Sequence, residues 1–223
     1  MKIAEELTGY WPYIIDMSVF FLCALAIAGY QLRLRRHIRK RPSMTVQGMN
    51  TQARAAWVNR VMTGERDILA VQTFRNSTMA ATLLASTAVI LILAILNMLA
   101  GADKISLALH QINTWGSREP GMWIFKLMLL VVDFFVAFFA FSLAVRGYHH
   151  AGYLINVPLE GDHGVTPETV VKVLTRASQY YSVGMRTYYL SVPLTLWLFG
   201  PTWMLFATVA LLAVLNHLDH LPD

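Results

Sequence analysis

From Met122 to Val145 the chain reads MWIFKLMLLVVDFFVAFFAFSLAV, and every residue except Lys126, Asp133 and Ser142 is apolar or aromatic. At 1.5 Å per residue, about 20 such residues cross the hydrocarbon of a bilayer. Three more segments meet that standard: Trp11 to Leu32, Ser77 to Leu99 and Tyr188 to Leu215. The composition agrees, with 56% hydrophobic and 14% charged residues and a mean hydropathy of +0.48. A soluble domain would carry about 25% charged residues. The expected fold is therefore all-α: an integral membrane bundle of four transmembrane helices with amphipathic helices at one face, forming a single membrane domain over residues 1–223.

Loop charge sets the expected direction, because Lys and Arg near spans favour the cytoplasm. Between the first two spans lie Arg33, Arg35, Arg36, Arg39, Lys40, Arg41, Arg54, Arg60, Arg66 and Arg75, and between the last two lie Arg146, Lys172, Arg176 and Arg186. The opposite side holds Lys2, Lys104 and Arg118, with Lys126 just inside a span. The first span is read as uncleaved, since its basic cluster follows the apolar run rather than preceding it. Both termini are then expected outside, periplasmic if the source is bacterial, in a multi-pass inner-membrane protein. The net charge of +5 is a topology signal of this kind, and no nucleic-acid partner is expected.

The fourth segment admits two readings. From Val183 to Asn216 a continuous helix would run about 51 Å, and Pro193 and Gly200-Pro201 interrupt it. A single kinked span is the preferred reading, and a hairpin of two halves, with the C-terminus inside, is the other.

At the basic face, Asn50 or Thr51 can cap a helix from Gln52 to Thr63 with Ala53, Trp57, Val61 and Met62 at helical spacing. Such a helix can lie on headgroups or dock on the bundle. The run Arg33 to Arg41 reads first as a stop-transfer signal and second as a contact for anionic headgroups. Thr166-Pro167-Glu168 is a helix start, in which Thr caps, Pro takes the first position and Glu meets the dipole.

Ionisable groups inside the spans are the main functional leads, because lipid cannot solvate them. Asp16 and Lys126 lie at similar depth and can pair across helices. Asp133, near mid-span, shares a face with Ala137, Ala140 and Ala144 and so is expected to face protein or a water-filled cavity. Ser77, Ala81 and Ala85 form a second small-residue ridge, with Arg75 and Asn76 at its inner end.

The histidines lack the matched depth a bundle haem requires. His217, Asp219 and His220 give only a weak metal pattern, so no cofactor or metal is expected. Cys23, the one cysteine, reads as a small hydrophobe.

Two ordered motifs carry a resemblance. Arg54-Ala55-Ala56-Trp57-Val58 followed by Leu69-Ala70-Val71-Gln72-Thr73-Phe74-Arg75-Asn76-Ser77 resembles the R-x-x-W-V and L-A-V-Q-T-x-R-N motifs of the DUF599 family of bacteria and plants. Ser142 to Arg146, Thr166-Pro167-Glu168, Val183-Gly184-Met185-Arg186, Leu196 to Pro201 and Leu218-Asp219 follow in order. The resemblance covers nearly the whole chain. It implies a multi-span membrane protein and brings no activity, cofactor or substrate. It also implies that Asp16, Arg54, Trp57, Gln72, Arg75, Asn76, Lys126, Arg146, Arg186 and Asp219 stand on family positions, and that Asp133 does not.

The expected function is non-enzymatic. Gln72, Arg75, Asn76, Arg146 and Arg186 are expected to form one polar site near the inner face for an anionic ligand, a lipid headgroup or a partner. The alternative is a small oligomeric transporter or channel using Asp133 and the broken fourth helix. No nucleophile-base pair or metal set supports an enzyme.

Overall fold

The computed structural model describes residues 2–40, 46–64, 67–101, 116–117, 119–159 and 164–219. Among these residues the chain forms α1 (Lys2–Lys40), α2 (Val46–Thr63), α3 (Asp67–Ala100), α4 (Pro120–Leu154), α5 (Pro167–Trp197) and α6 (Pro201–Asp219). Four helical stretches are long and apolar enough to cross a membrane: Trp11–Ile38, Ile68–Ala100, Pro120–Leu154 and Pro201–Asp219.

Two sets of contacts fix the direction of every long helix. At one end, Asp16 of α1, Lys126 of α4 and Trp197 of α5 bond to one another, and Ile92 and Ile95 of α3 pack with Trp123 and Leu127 of α4. At the other end, Tyr30 of α1, Arg186 of α5 and Asp219 of α6 meet, while Phe74 of α3 packs with Tyr148 of α4 and Val170 of α5. The second end carries the basic connections. The chain thus traverses the bundle five times, on α1, α3, α4, α5 and α6.

This corrects the reading of the fourth segment. Arg186 and Asp219 are 33 residues apart, which a single helix would separate by about 50 Å, yet Arg186 Nη2 lies 3.0 Å from Asp219 Oδ1. The segment is a hairpin. Pro193 lies within α5 and does not end it. The reversal comes at Leu198-Phe199-Gly200, where the N–H groups of all three residues bond back to Thr195, Leu196 and Trp197 carbonyls. Gly200 adopts φ 134°, a conformation closed to side chains with a Cβ, and Pro201 then opens α6. The expectation that both termini share one face falls with the kinked span: α1 begins at one end of the bundle, and α6 finishes at the other.

Small residues set the closest helix approaches. Ala81, Ala85 and Ala88 of α3 and Ala137, Ala140 and Ala144 of α4 are all buried, the close-packed surfaces that membrane helices use in place of a hydrophobic drive. Ala85, Ala88, Ala137 and Phe141 form one cluster. Gly184 of α5 lies against Phe141, where a Cβ would stand 2.8 Å from the ring.

Hydroxyls in the spans bond back to their own helices, as Thr87 to Leu83, Thr187 to Val183 and Thr208 to Met204 do. These donors are thereby satisfied within their own helices.

Between its two readings, α2 adopts the docked one. Val58 and Val61 are buried in the cluster that holds Val170, Leu174 and Ala177 of α5, and the Trp57 ring meets Phe74 edge-on at 5.9 Å. The expected apolar face is turned, however. Ala53 is exposed, and the inward line runs Arg54, Val58, Val61. The helix also begins earlier than Gln52, at Val46. At the start of α5, Thr166 caps as expected, its hydroxyl accepting from the Thr169 N–H at 3.3 Å.

Candidate functional site

Asp16 and Lys126 meet as a fully buried pair at the end away from the basic connections. Lys126 Nζ lies 2.9 Å from Asp16 Oδ1, with side-chain exposures of 3% and 0%. Asp16 also accepts from Trp197 Nε1 at 2.7 Å and from the Ser117 backbone N–H at 2.7 Å. Lys126 donates to the Trp197 carbonyl at 3.2 Å and stands 4.9 Å from the centre of its ring. The Phe20 ring stacks on Trp197 at 4.9 Å, and Cys23 is buried in the same cluster. Among the described residues both charges here are paired, and the group binds α1, α4 and the hairpin turn together.

The basic end is different. The five residues expected to form one site there are not brought together. Gln72, Arg75 and Asn76 are exposed on α3, because Phe74 is the residue of that turn that enters the core. Arg146, also exposed, opens into a groove between α4 and α5. Arg186 lines a separate cavity of about 430 Å³ bounded by α1, α2, α5 and α6. The five residues therefore do not line one cavity.

In that cavity Arg186 is already neutralised. Its Nη2 bonds both oxygens of Asp219 at 3.0 and 3.2 Å, its Nη1 reaches Gln31 Oε1, and Tyr30 donates to Asp219 at 2.8 Å. This clamp ties the ends of α1, α5 and α6 and occupies the aspartate of the weak metal pattern; His220 of that pattern lies outside the described residues.

Arg54 also lines the cavity and has no such partner. Its Nη1 bonds the Ser178 hydroxyl and its Nη2 the Thr51 hydroxyl at 3.3 Å, and Ser178 also bonds Tyr148. Among the described residues, no carboxylate pairs with it. Burial pulls its guanidinium below the ordinary arginine value, though an arginine stays charged in proteins. Its Nε is buried with no hydrogen-bond partner, and so is Oγ1 of Thr175, another residue of the same cavity wall. Buried polar atoms are nearly always satisfied. Two unpartnered polar atoms and a guanidinium without a carboxylate partner thus share one cavity.

In the sequence Arg54 stands beside an amphipathic helix and within the R-x-x-W-V motif, and it is not among the expected site residues. Its spacing from Val58 and Val61 was the available signal, since i, i+4 and i+7 share a face.

Asp133 is half-buried, with Ala137, Ala140 and Ala144 buried on its face as expected. Its Oδ2 is buried and has no hydrogen-bond partner among the described residues. It lines neither the cavity nor the groove.

Comparisons with curated proteins and with solved structures gave no match. The sequence profile of one family, described as a protein of unknown function, matches residues 18–222. That match takes in the docked α2, the hairpin, Lys126 and the Arg186–Asp219 pair, while Asp16 precedes it, and by it this chain belongs to the DUF599 family.

Proposed function

We propose that this chain is a non-enzymatic multi-pass membrane protein that holds a small anionic ligand, a phosphate or carboxylate compound, in the cavity between α1, α2, α5 and α6. The observation that carries this reading is Arg54: a half-buried guanidinium among hydroxyls, its Nε unpartnered, beside the equally unpartnered Thr175 hydroxyl. At about 430 Å³ the cavity falls in the range of small-molecule sites. The Arg186–Asp219 pair forms a neutral wall and leaves Arg54 as the group that selects charge.

The basic connections support a cytoplasmic side for this cavity, with the C-terminal end of α6 beside it and the start of α1 on the opposite side of the membrane. Arg33, Arg35, Arg36 and Lys40, all exposed, lie at the same level and suit anionic headgroups.

Thermal unfolding of the purified full chain, titrated with inorganic phosphate and with a series of mono- and dicarboxylates, tests this. At least one anion should stabilise the chain, with the effect lost in Arg54→Gln and kept in Arg75→Gln. Equal stabilisation of all three forms would refute the cavity, and so would the absence of any anion effect on the parent.

The transport reading keeps one observation in its favour, the unpartnered Oδ2 of Asp133. The helix break no longer supports it, since Gly200 lies at the end of the bundle beside a fully paired cluster. Proteoliposome flux that survives Asp133→Asn would remove this reading.

A further inference from the structure

At the basic end, α4 and α5 come almost into contact. A Cβ on Gly147 would stand 2.6 Å from the Cβ of Ala177, so the two backbones meet there and side chains splay to either side. The outer side is a groove of about 720 Å³. Its cations are Arg146 from α4, with the imidazole of His150 four residues on along the same helical face, and Arg176 from α5. The Arg176 side chain is set by Tyr180, whose hydroxyl accepts from its Nε at 3.2 Å and whose ring lies 5.8 Å beneath the guanidinium. Among the described residues, no carboxylate lines the groove.

Its axis has a direction. α4 runs toward the basic end, so Leu143 lies deeper than Arg146, and His150 and Tyr153 lie nearer water. α5 runs the other way, so Tyr180 is deeper than Arg176. The groove therefore offers cations at headgroup level and an apolar, outward-open continuation toward the hydrocarbon, where Leu143 is exposed.

We propose that this groove binds the phosphate of an anionic phospholipid from the surrounding bilayer, with Arg146 and Arg176 as its donors and the acyl chains running past Leu143. Three observations converge on a lipid rather than a soluble phosphate. The arginines come from two different helices, no acid lines the groove among the described residues, and its lining includes the exposed apolar side chains of Leu143 and Tyr153 along α4. The site is separate from the Arg54 cavity and does not depend on it.

The test is native mass spectrometry of the full chain in detergent, titrated with phosphatidylglycerol, with phosphatidylcholine, and with glycerol 3-phosphate as the chain-free source of the same chemistry. Phosphatidylglycerol should bind in preference to the other two. Losing a charge-assisted contact of this kind weakens affinity by about tenfold, so Arg146→Gln and Arg176→Gln should each show that loss, and their double variant should retain no preference. Arg75→Gln, which removes an exposed cation at the same end outside the groove, should bind as the parent does. An unchanged circular dichroism spectrum in the double variant assigns the loss to the groove.

Three results would overturn the proposal. In the first, the double variant retains the preference. In the second, Arg75→Gln weakens binding as much as Arg146→Gln, which would mean diffuse attraction. In the third, glycerol 3-phosphate binds as well as the lipid, which would make the groove a soluble-phosphate site.

Discussion

Changing Asp16 to Asn keeps the shape of the side chain and removes its charge, which isolates what the buried ion pair does. In the parent, Asp16 accepts from Lys126, Trp197 and Ser117 at 2.9, 2.7 and 2.7 Å with no exposure to solvent. In Asp16→Asn, Lys126 becomes a lone buried cation. Removing one partner of a buried pair destabilises by about 3–5 kcal/mol. Lys126 retains the Trp197 carbonyl and ring face, so the expected loss sits at the lower end, about 3 kcal/mol. The reciprocal Lys126→Met leaves a carboxylate that still accepts two N–H bonds, for an expected loss of about 2 kcal/mol. The double variant restores neutrality and should lie within about 1 kcal/mol of the parent, far from the sum of the singles. Unfolding in mixed detergent micelles reads all three, with Trp197 as a fluorescent reporter inside the site. An Asp16→Asn variant within about 0.5 kcal/mol of the parent would refute the reasoning, as would a double variant no better than Asp16→Asn alone.

Other consequences are equally open to measurement. In Gly184→Ala the new methyl would stand 2.8 Å from the Phe141 ring, which edge contacts with Tyr181 and Tyr188 at 5.6 and 5.3 Å hold in place. The expected loss is about 1–3 kcal/mol in thermal unfolding, partly recovered by Phe141→Leu, and a neutral variant would show that the ring yields. Single cysteines at Trp11 and His217, both exposed, in a Cys23→Ala background should label from opposite sides of the membrane with an impermeant maleimide; labelling from one side would reinstate the kinked span.

At the start of α5, the backbone N–H of Glu168, the Thr166 hydroxyl and Lys172 hold the Glu168 carboxyl below the ordinary glutamate value. A lowered folded value means a contribution present above about pH 4.3 and lost as pH falls through it. Protection of the Thr169 and Val170 amides against hydrogen exchange should therefore fall on acidification, and less so in Glu168→Gln. Equal falls in both would set the carboxylate aside.

What could be read from the sequence divides along physical lines. Spans on α1, α3 and α4 were visible because hydrocarbon imposes apolarity on every exposed face, and that constraint is local. The pairing of Asp16 with Lys126 was visible for the same reason, since two lone charges at matched depth have few alternatives to each other. The hairpin was not decided by local pattern. Gly200-Pro201 marks a break equally well in a kinked and a reversed helix, and the difference lies in the φ of Gly200 and in the clamp from Arg186 and Tyr30 to Asp219, a contact across 33 and 189 residues. Arg75 and Arg146 misled because proximity along a helix end says nothing about facing. The turn of α3 that carries Arg75 turns Phe74 inward.

α5 explains both why the fourth apolar segment is a hairpin and where polar side chains collect in the bundle. By composition it is too polar to be recognised as a span, with Tyr181, Ser182, Arg186, Tyr188, Tyr189 and Ser191 in its second half. It nevertheless runs the length of the bundle, because between Tyr180 and Trp197 only Val183, Val192 and Thr195 are exposed; the polar residues are covered by α1, α3, α4 and α6. A helix shielded in this way is released from the demand for apolarity that lipid places on its neighbours, so polar side chains accumulate on it. Where those side chains outnumber their partners, cavities remain. The Arg54 cavity and the Arg146 groove both have a wall on α5, through Thr175 and Ser178 in the first and Arg176 and Tyr180 in the second. Ligand chemistry in this chain is thus expected on both sides of one helix, which predicts that substitutions on α5 will separate into two independent sets, those that alter anion binding at Arg54 and those that alter lipid retention at Arg146.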